Sequence, residues 1–228
     1  MTESIQIYLD RVIEFAPRLI ESLQESGIML SLASVAAIFI GIPLGTLLYL
    51  TAPGKPSENL WIYQICNVFV NIVRSFPFLL LVVAMQPAIR ALYGRATGDP
   101  IAASFPMMLI AIALYARFVE QSLLEIPKGV IEVADAMGAS TNQLVTKFLF
   151  VESRSSLIIG FTTAFVSFIS YSTIMGVVGG GGIGDFAIRY GYQRYETDIM
   201  YTAIVVIIIF VQIIQWLGLK LAKKLDKR

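Results

Sequence analysis

Histidine is absent from the 228 residues, and cysteine occurs once, as Cys66. The first absence removes the commonest general base and metal ligand, which argues against a metal-dependent intramembrane protease or a histidine proton relay. The second excludes an intrachain disulfide, and Cys66, lying in an apolar stretch, reads as a packing residue. Charge is scarce too: 14% of residues are charged and 57% hydrophobic, against roughly 25% and 45–50% in an average soluble domain. With a formal net charge of +1 and no basic patch, no nucleic-acid partner is expected. A phosphate loop of the form Gly-x-x-x-x-Gly-Lys-Ser/Thr is also missing, so the chain has no equipment of its own for nucleotide hydrolysis. The start, Met1-Thr2-Glu3-Ser4, lacks a basic region before a short apolar core, and no cleaved signal peptide is expected.

What fills the chain instead is uncharged apolar sequence. Residues 26–54, 155–184 and 199–219 hold no Asp, Glu, Lys or Arg, and each exceeds the roughly 18 residues at which an apolar run reads as a spanning helix. Residues 100–116 reach useful length only if the helix continues past Arg117 toward Gln121, with Arg117 facing protein. Residues 60–89 would form one long span but for Arg74, followed by Ser75, Phe76 and Pro77, so a break is expected near its middle. The expected fold is all-α and integral to the membrane, with about five transmembrane helices. Placing the C-terminus inside collects Lys55, Arg117, Lys128, Lys147, Arg154, Lys220, Lys223, Lys224, Lys227 and Arg228 there, against Arg11, Arg18, Arg90, Arg95, Arg189 and Arg194 outside. This bias predicts N-terminus out and C-terminus in, in a cytoplasmic membrane.

Ahead of the first run, Ile5, Leu9, Val12, Ala16, Leu19 and Leu23 recur at helical spacing among Asp10, Glu14, Arg18, Glu21 and Glu25. Residues 1–26 are read as an amphipathic helix that lies in the outer interface or extends the first span, with Pro17 as a candidate kink. Residues 27–220 hold the spans, and 221–228 form a basic cytoplasmic tail. No internal repeat is visible, and an odd number of spans cannot divide into two equal inverted halves, so a pathway between two copies is the natural architecture.

The longest polar segment, 117–155, is cytoplasmic on this topology. Within it residues 130–147 read VIEVADAMGASTNQLVTK: helix formers, Gly138, then Ser140 as an N-cap before a second apolar-periodic stretch from Gln143 to Phe150. Helix, tight turn, helix is predicted. Ala134, Ala136 and Ala139 would let another protein approach the backbone closely, yet periodicity alone describes a plain connector equally well.

The hairpin resembles the cytoplasmic loop of the membrane subunits of bacterial ABC importers, whose signature is Glu-Ala-Ala, three residues, then Gly; here it reads Glu132, Val133, Ala134 and Gly138. Val133 stands where the family has Ala, and Phe150-Val151 where many members have Leu-Pro. The stretch LLEIPKGVIEVADAMGAS is similar to the methionine-importer permeases in particular. So are Tyr49-Leu50-Thr51-Ala52-Pro53-Gly54, VNIVRSFPFLLLVV at 70–83 and GGGGIGDFAIRYGY at 179–192, a resemblance covering about residues 27–220. It implies a permease working by alternating access as two paired copies, with two ABC ATPase subunits docked beneath and an extracytoplasmic substrate-binding protein or lipoprotein above. ATP and Mg would be used by the ATPase, with no cofactor on this chain. The same resemblance implies ATPase-coupling roles for Glu132, Ala134 and Gly138, to which the small neighbours Ala136 and Ala139 are added, and methionine as the solute. Another small amino acid or polar solute, or a self-sufficient channel or carrier, is the alternative.

Three further groups carry two readings each. Arg74 faces a cavity or protein, or caps carbonyls freed at Pro77. Ser170 and Ser172 line a pathway or bond back to their own helix, with Ile174 or Met175 as a hydrophobic gate. The glycines of 179–184, with no lysine following, read as a flexible re-entrant turn packed in protein; beyond them Arg189, Tyr192 and Arg194 form a docking surface for a binding protein or an interfacial aromatic belt.

Overall fold

The computed structural model describes residues 2–226, with side chains from residue 6 onward except 7 and 9. Ile5 and Leu9 of the amphipathic stripe, and Lys227 and Arg228 of the basic tail, lie outside the described side chains. Every element among the described residues is helical: α1 (Thr2–Ala36), α2 (Ile42–Thr51), α3 (Leu60–Ser75), α4 (Phe78–Tyr93), α5 (Pro100–Leu124), α6 (Lys128–Ala136), α7 (Thr141–Gln143), α8 (Phe150–Val177), α9 (Gly182–Phe186) and α10 (Thr197–Leu225). Wider π-helical turns at Ala37–Gly41 and Leu144–Leu149 join α1 to α2 and α7 to α8 without a break, and a third follows α9 at Ala187–Tyr192. Helices are what lipid demands, because each satisfies its own backbone N–H and C=O groups.

Among the described residues four stretches are long and apolar enough to cross a membrane, namely Asp10–Thr51, Pro100–Leu124, Thr141–Val177 and Thr197–Leu225, and α3 with α4 makes a fifth if the broken pair counts as one span. The break falls where Pro77 was expected to put it. Phe76 (ψ 129°) and Pro77 (ψ 124°) are extended between the two helices, as the lost N–H of a proline and its clash with the preceding residue require.

By packing, the chain forms two compact units, 1–34 with 77–108 and 166–213, and 35–76 with 109–165 and 214–228. In the first unit α1 runs unbroken through Pro17, so the N-terminal helix extends the first span. Phe15 and Leu19 pack on a cluster of Ile183, Phe186, Ile199 and Ala203. Arg11 pairs with Glu196 and, at 3.3 Å, with Asp198; Arg18 donates to the Tyr190 hydroxyl at 2.7 Å. One turn further on the buried face shifts from the expected Leu23 to Ser22 and Ser26, because the neighbour there is a backbone turn needing acceptors. The Gly182 N–H donates to the Glu25 carboxylate at 2.6 Å, and the Ile183 N–H to Ser26 Oγ at 2.9 Å. The glycine turn is thus packed in protein as expected, and it is clamped at these two amides.

In the second unit α2 lies directly on α5. A Cβ on Gly45 would stand 2.3 Å from the Ala116 carbonyl oxygen, so only glycine permits this approach. Tyr115 of α5 donates to the Leu157 carbonyl at 3.2 Å, and Ser155 of α8 donates to Ala222 of α10 at 3.2 Å.

Candidate functional site

The segment expected to be a helical hairpin is one, and its local chemistry explains why. α6 starts after Pro127 and ends at Met137, whose N–H still reaches the Val133 carbonyl at 3.0 Å. Gly138 then turns with φ +67°, and its N–H and that of Ala139 reach back to the carbonyls of Asp135 at 2.9 Å and Ala134 at 3.0 Å, the glycine-terminated helix end. Ser140 opens the next helix with a capping box: its Oγ accepts from the Gln143 N–H at 3.4 Å, and its own N–H donates to Gln143 Oε1 at 2.9 Å. From Thr141 the helix continues to Val177. The second arm is therefore the foot of a span, with no break in the helix between them.

The first arm rests on the second, α6 packing against Leu144–Leu149. Ala134, fully buried, faces inward; it seats α6 and is not available to a docking protein. Ala139 is half-buried, whereas Glu132, Ala136 and Gly138 are exposed. Two apolar side chains also point outward, Val133 at 55% and Met137 at 72% exposure. Val133, which departs from the family's Ala, and Met137 thus place an oily patch on the outward face of the hairpin. Beside α6 a groove of about 380 Å³ is bounded by Gly54, Lys55 and Pro56 of the turn after α2 and by Lys128, Ile131, Glu132 and Asp135.

α5 continues past Arg117, as expected, and reaches Leu124, because its charges pair within the fold. Arg117 Nη1 and the Glu120 carboxylate pair at 2.5 Å, with side chains 16% and 6% exposed. Arg117 Nη2 donates to Asn67 Oδ1 at 2.7 Å and Asn71 Oδ1 at 2.8 Å, both on α3. The protein-facing Arg117 expected from span length is there, and the asparagines that receive it are new.

Arg74 sits in the last turn of α3 and is exposed in the single chain. Bonding of a carbonyl near the break falls to Ser75, whose Oγ donates to Asn71 O at 2.7 Å. Ser170 and Ser172 donate to carbonyls of their own helix, Val166 at 3.4 Å and Ile169 at 2.8 Å; Ser172 is fully buried and Ser170 exposed. Met175 is buried beside Gly180, and Ile174 is half-buried. Among the docking candidates Arg189 pairs with Asp185 at 3.1 Å, Arg194 lies 4.9 Å from the Tyr190 ring centre, and Tyr192 is 71% exposed. Tyr195, at 90% exposure and φ +58°, extends that surface.

Residues 37–227 match the family model of the binding-protein-dependent transport system inner membrane component. The chain is 40% identical over 200 residues to the probable D-methionine transport system permease protein MetI of Vibrio cholerae, covering 88% of both chains. It is 39% identical over 183 residues to the methionine import system permease protein MetP of Bacillus subtilis, covering 80% of this chain and 82% of that one. Among solved structures, a chain of the inward-facing MetNI methionine ABC transporter superposes with a TM-score of 0.90 at 35% identity, covering 94% of this chain and 99% of that one. A chain of an amino acid ABC transporter with histidines shares the fold at a TM-score of 0.72 and 14% identity. With its apolar spans, its broken second span and its capped helical hairpin, the chain belongs to the family of binding-protein-dependent transport system inner membrane components and is a multi-pass protein of the inner membrane.

Proposed function

We propose that the chain is the permease subunit of an ATP-driven importer of methionine, working as a pair of copies on two ABC ATPase subunits. The observation that carries this reading is the near-complete superposition on a methionine ABC transporter chain, at an identity too high to reflect fold alone. ATP and Mg belong to the ATPase, and this chain binds no cofactor. The hairpin is the coupling element, with Glu132, Ala136, Gly138 and Ala139, joined by Val133 and Met137, as the surface the ATPase grips, and Ala134 as the seat beneath it. Alternating access follows if closure of the ATPases moves the two hairpins, because each is continuous with the foot of a span. Arg74, Ser170, Ser172, Ile174 and Met175 are the pathway and gate candidates. An extracytoplasmic substrate-binding protein docks at Arg189, Tyr192 and Arg194. A tagged chain purified gently from its native membrane should bring down an untagged second copy and an ATP-binding subunit; recovery of the chain alone under several mild detergents would count against the assembly.

This reading needs N-terminus out and C-terminus in, which the lysine and arginine bias supports. Single cysteines at Lys128 or Lys223, in a Cys66→Ser background, should react only with membrane-permeant maleimides, and one at Arg194 should react with impermeant ones. The reverse pattern would invert the topology and remove the hairpin from the ATPase side.

A further inference from the structure

Within the second unit a groove of about 530 Å³ runs between α8 and α10, closed at its back by Ile38, Ile42 and Tyr115. Along α8 it extends from Arg154 to Phe165, and along α10 from Leu221 to Ile214. At 1.5 Å per residue the α8 wall is about 16 Å long, close to half the roughly 30 Å hydrocarbon thickness of a bilayer, or one leaflet. Its polar side chains other than Arg154 are committed inward: the Tyr115 hydroxyl to the Leu157 carbonyl at 3.2 Å, Thr162 Oγ1 to Ile158 at 2.8 Å. The remaining lining is Ile, Leu, Phe and one Gly, so the groove offers a polar solute nothing and a hydrocarbon chain a full wall.

Arg154 marks one end. Its Nε donates to the Leu225 carbonyl at 2.7 Å, which leaves the rest of the guanidinium fork's donors uncommitted by that bond. Lys224 is exposed and lies one turn beyond Leu221 on the same stripe of α10. The acidic side chains nearby, Glu125, Glu152 and Asp226, line a separate pocket with Ser153, Ser156 and Ile159, on another face of α8. One end is cationic, the wall is apolar, and the length is that of a leaflet.

We infer that this groove is a binding site for an anionic phospholipid of the surrounding bilayer, one acyl chain lying between α8 and α10 and the phosphate held by Arg154 and Lys224. A phosphate anion suits a guanidinium fork, and basic pockets between spans are where such headgroups settle. The test is native mass spectrometry of the purified full-length chain with its partners, titrated with phosphatidylglycerol or phosphatidylcholine. Phosphatidylglycerol should be retained preferentially, and Lys224→Ala and Arg154→Gln should each cut that preference about fivefold. Lys224 is exposed and has no part in packing, so its variant reports even if Arg154→Gln folds poorly. Leu217→Trp, which fills the groove, should lower retention of both lipids. Equal retention of the two lipids by the parent, or a preference untouched in Lys224→Ala, would overturn the assignment. So would disulfide formation between two copies of a Leu217→Cys chain in native membranes, which would mean that a second copy covers the groove.

Discussion

Gly138→Val is expected to uncouple ATP hydrolysis from uptake while leaving the chain folded and inserted. Gly138 has φ +67°, and a Cβ built there meets nothing within 4 Å. The substitution therefore clashes with nothing in the chain itself, and its cost is the left-handed backbone conformation, about 1–2 kcal/mol for a residue with a Cβ and more when β-branched. That is tolerable for the fold, but it falls on the turn that sets α6 against Leu144–Leu149. A strain of ~1.4 kcal/mol in the docked geometry lowers its population about tenfold. Glu132→Lys acts differently, reversing an exposed charge at the rim of the groove beside α6. Both variants should insert normally, with ATP-driven uptake falling about tenfold or the ATPase lost on purification. If both transport at the parental rate with a full complement of ATPase, the hairpin is only a connector.

Arg117→Leu should produce the largest loss of stability. It strands the Glu120 carboxylate, 6% exposed, and takes the shared donor from Asn67 and Asn71. Removing one partner of a buried ion pair costs about 3–5 kcal/mol, whereas replacing both with apolar residues is often close to neutral. The melting temperature of Arg117→Leu in detergent should fall well below the parent's, and adding Glu120→Met should recover much of the difference. A parental melting temperature in the single variant would show that the network holds nothing together.

The two networks differ in how far the sequence announced them. The capping box at Ser140 and the turn at Gly138 were legible because each is decided within four residues by local hydrogen bonds. Arg117 was legible as protein-facing, because a charge in an apolar run leaves few other choices. Its partners were not: Asn67 and Asn71 sit 50 and 46 residues away, and no local rule pairs them. The same holds for Glu25 and Gly182, separated by 157 residues. The inward seat of Ala134 and outward display of Val133 and Met137 depend on which face of α6 meets Leu144–Leu149, and a nine-residue helix with apolar side chains on both faces does not reveal that. α5 runs past Arg117 as its length required and on beyond Gln121 to Leu124, because an internally paired Arg117 and Glu120 do not end a helix.

As proposed, this chain should conduct methionine only when driven by a separate ATPase. Purified chain should be reconstituted into liposomes with and without the co-purified ATPase subunits, supplied with the cognate binding protein, and assayed for uptake of labelled methionine. ATPase-driven import should give accumulation that requires the ATPase, ATP and Mg together, that stops with a non-hydrolysable ATP analogue, and that unlabelled methionine competes away. Accumulation by the chain alone under an ion gradient, or none with the complete set, would contradict it.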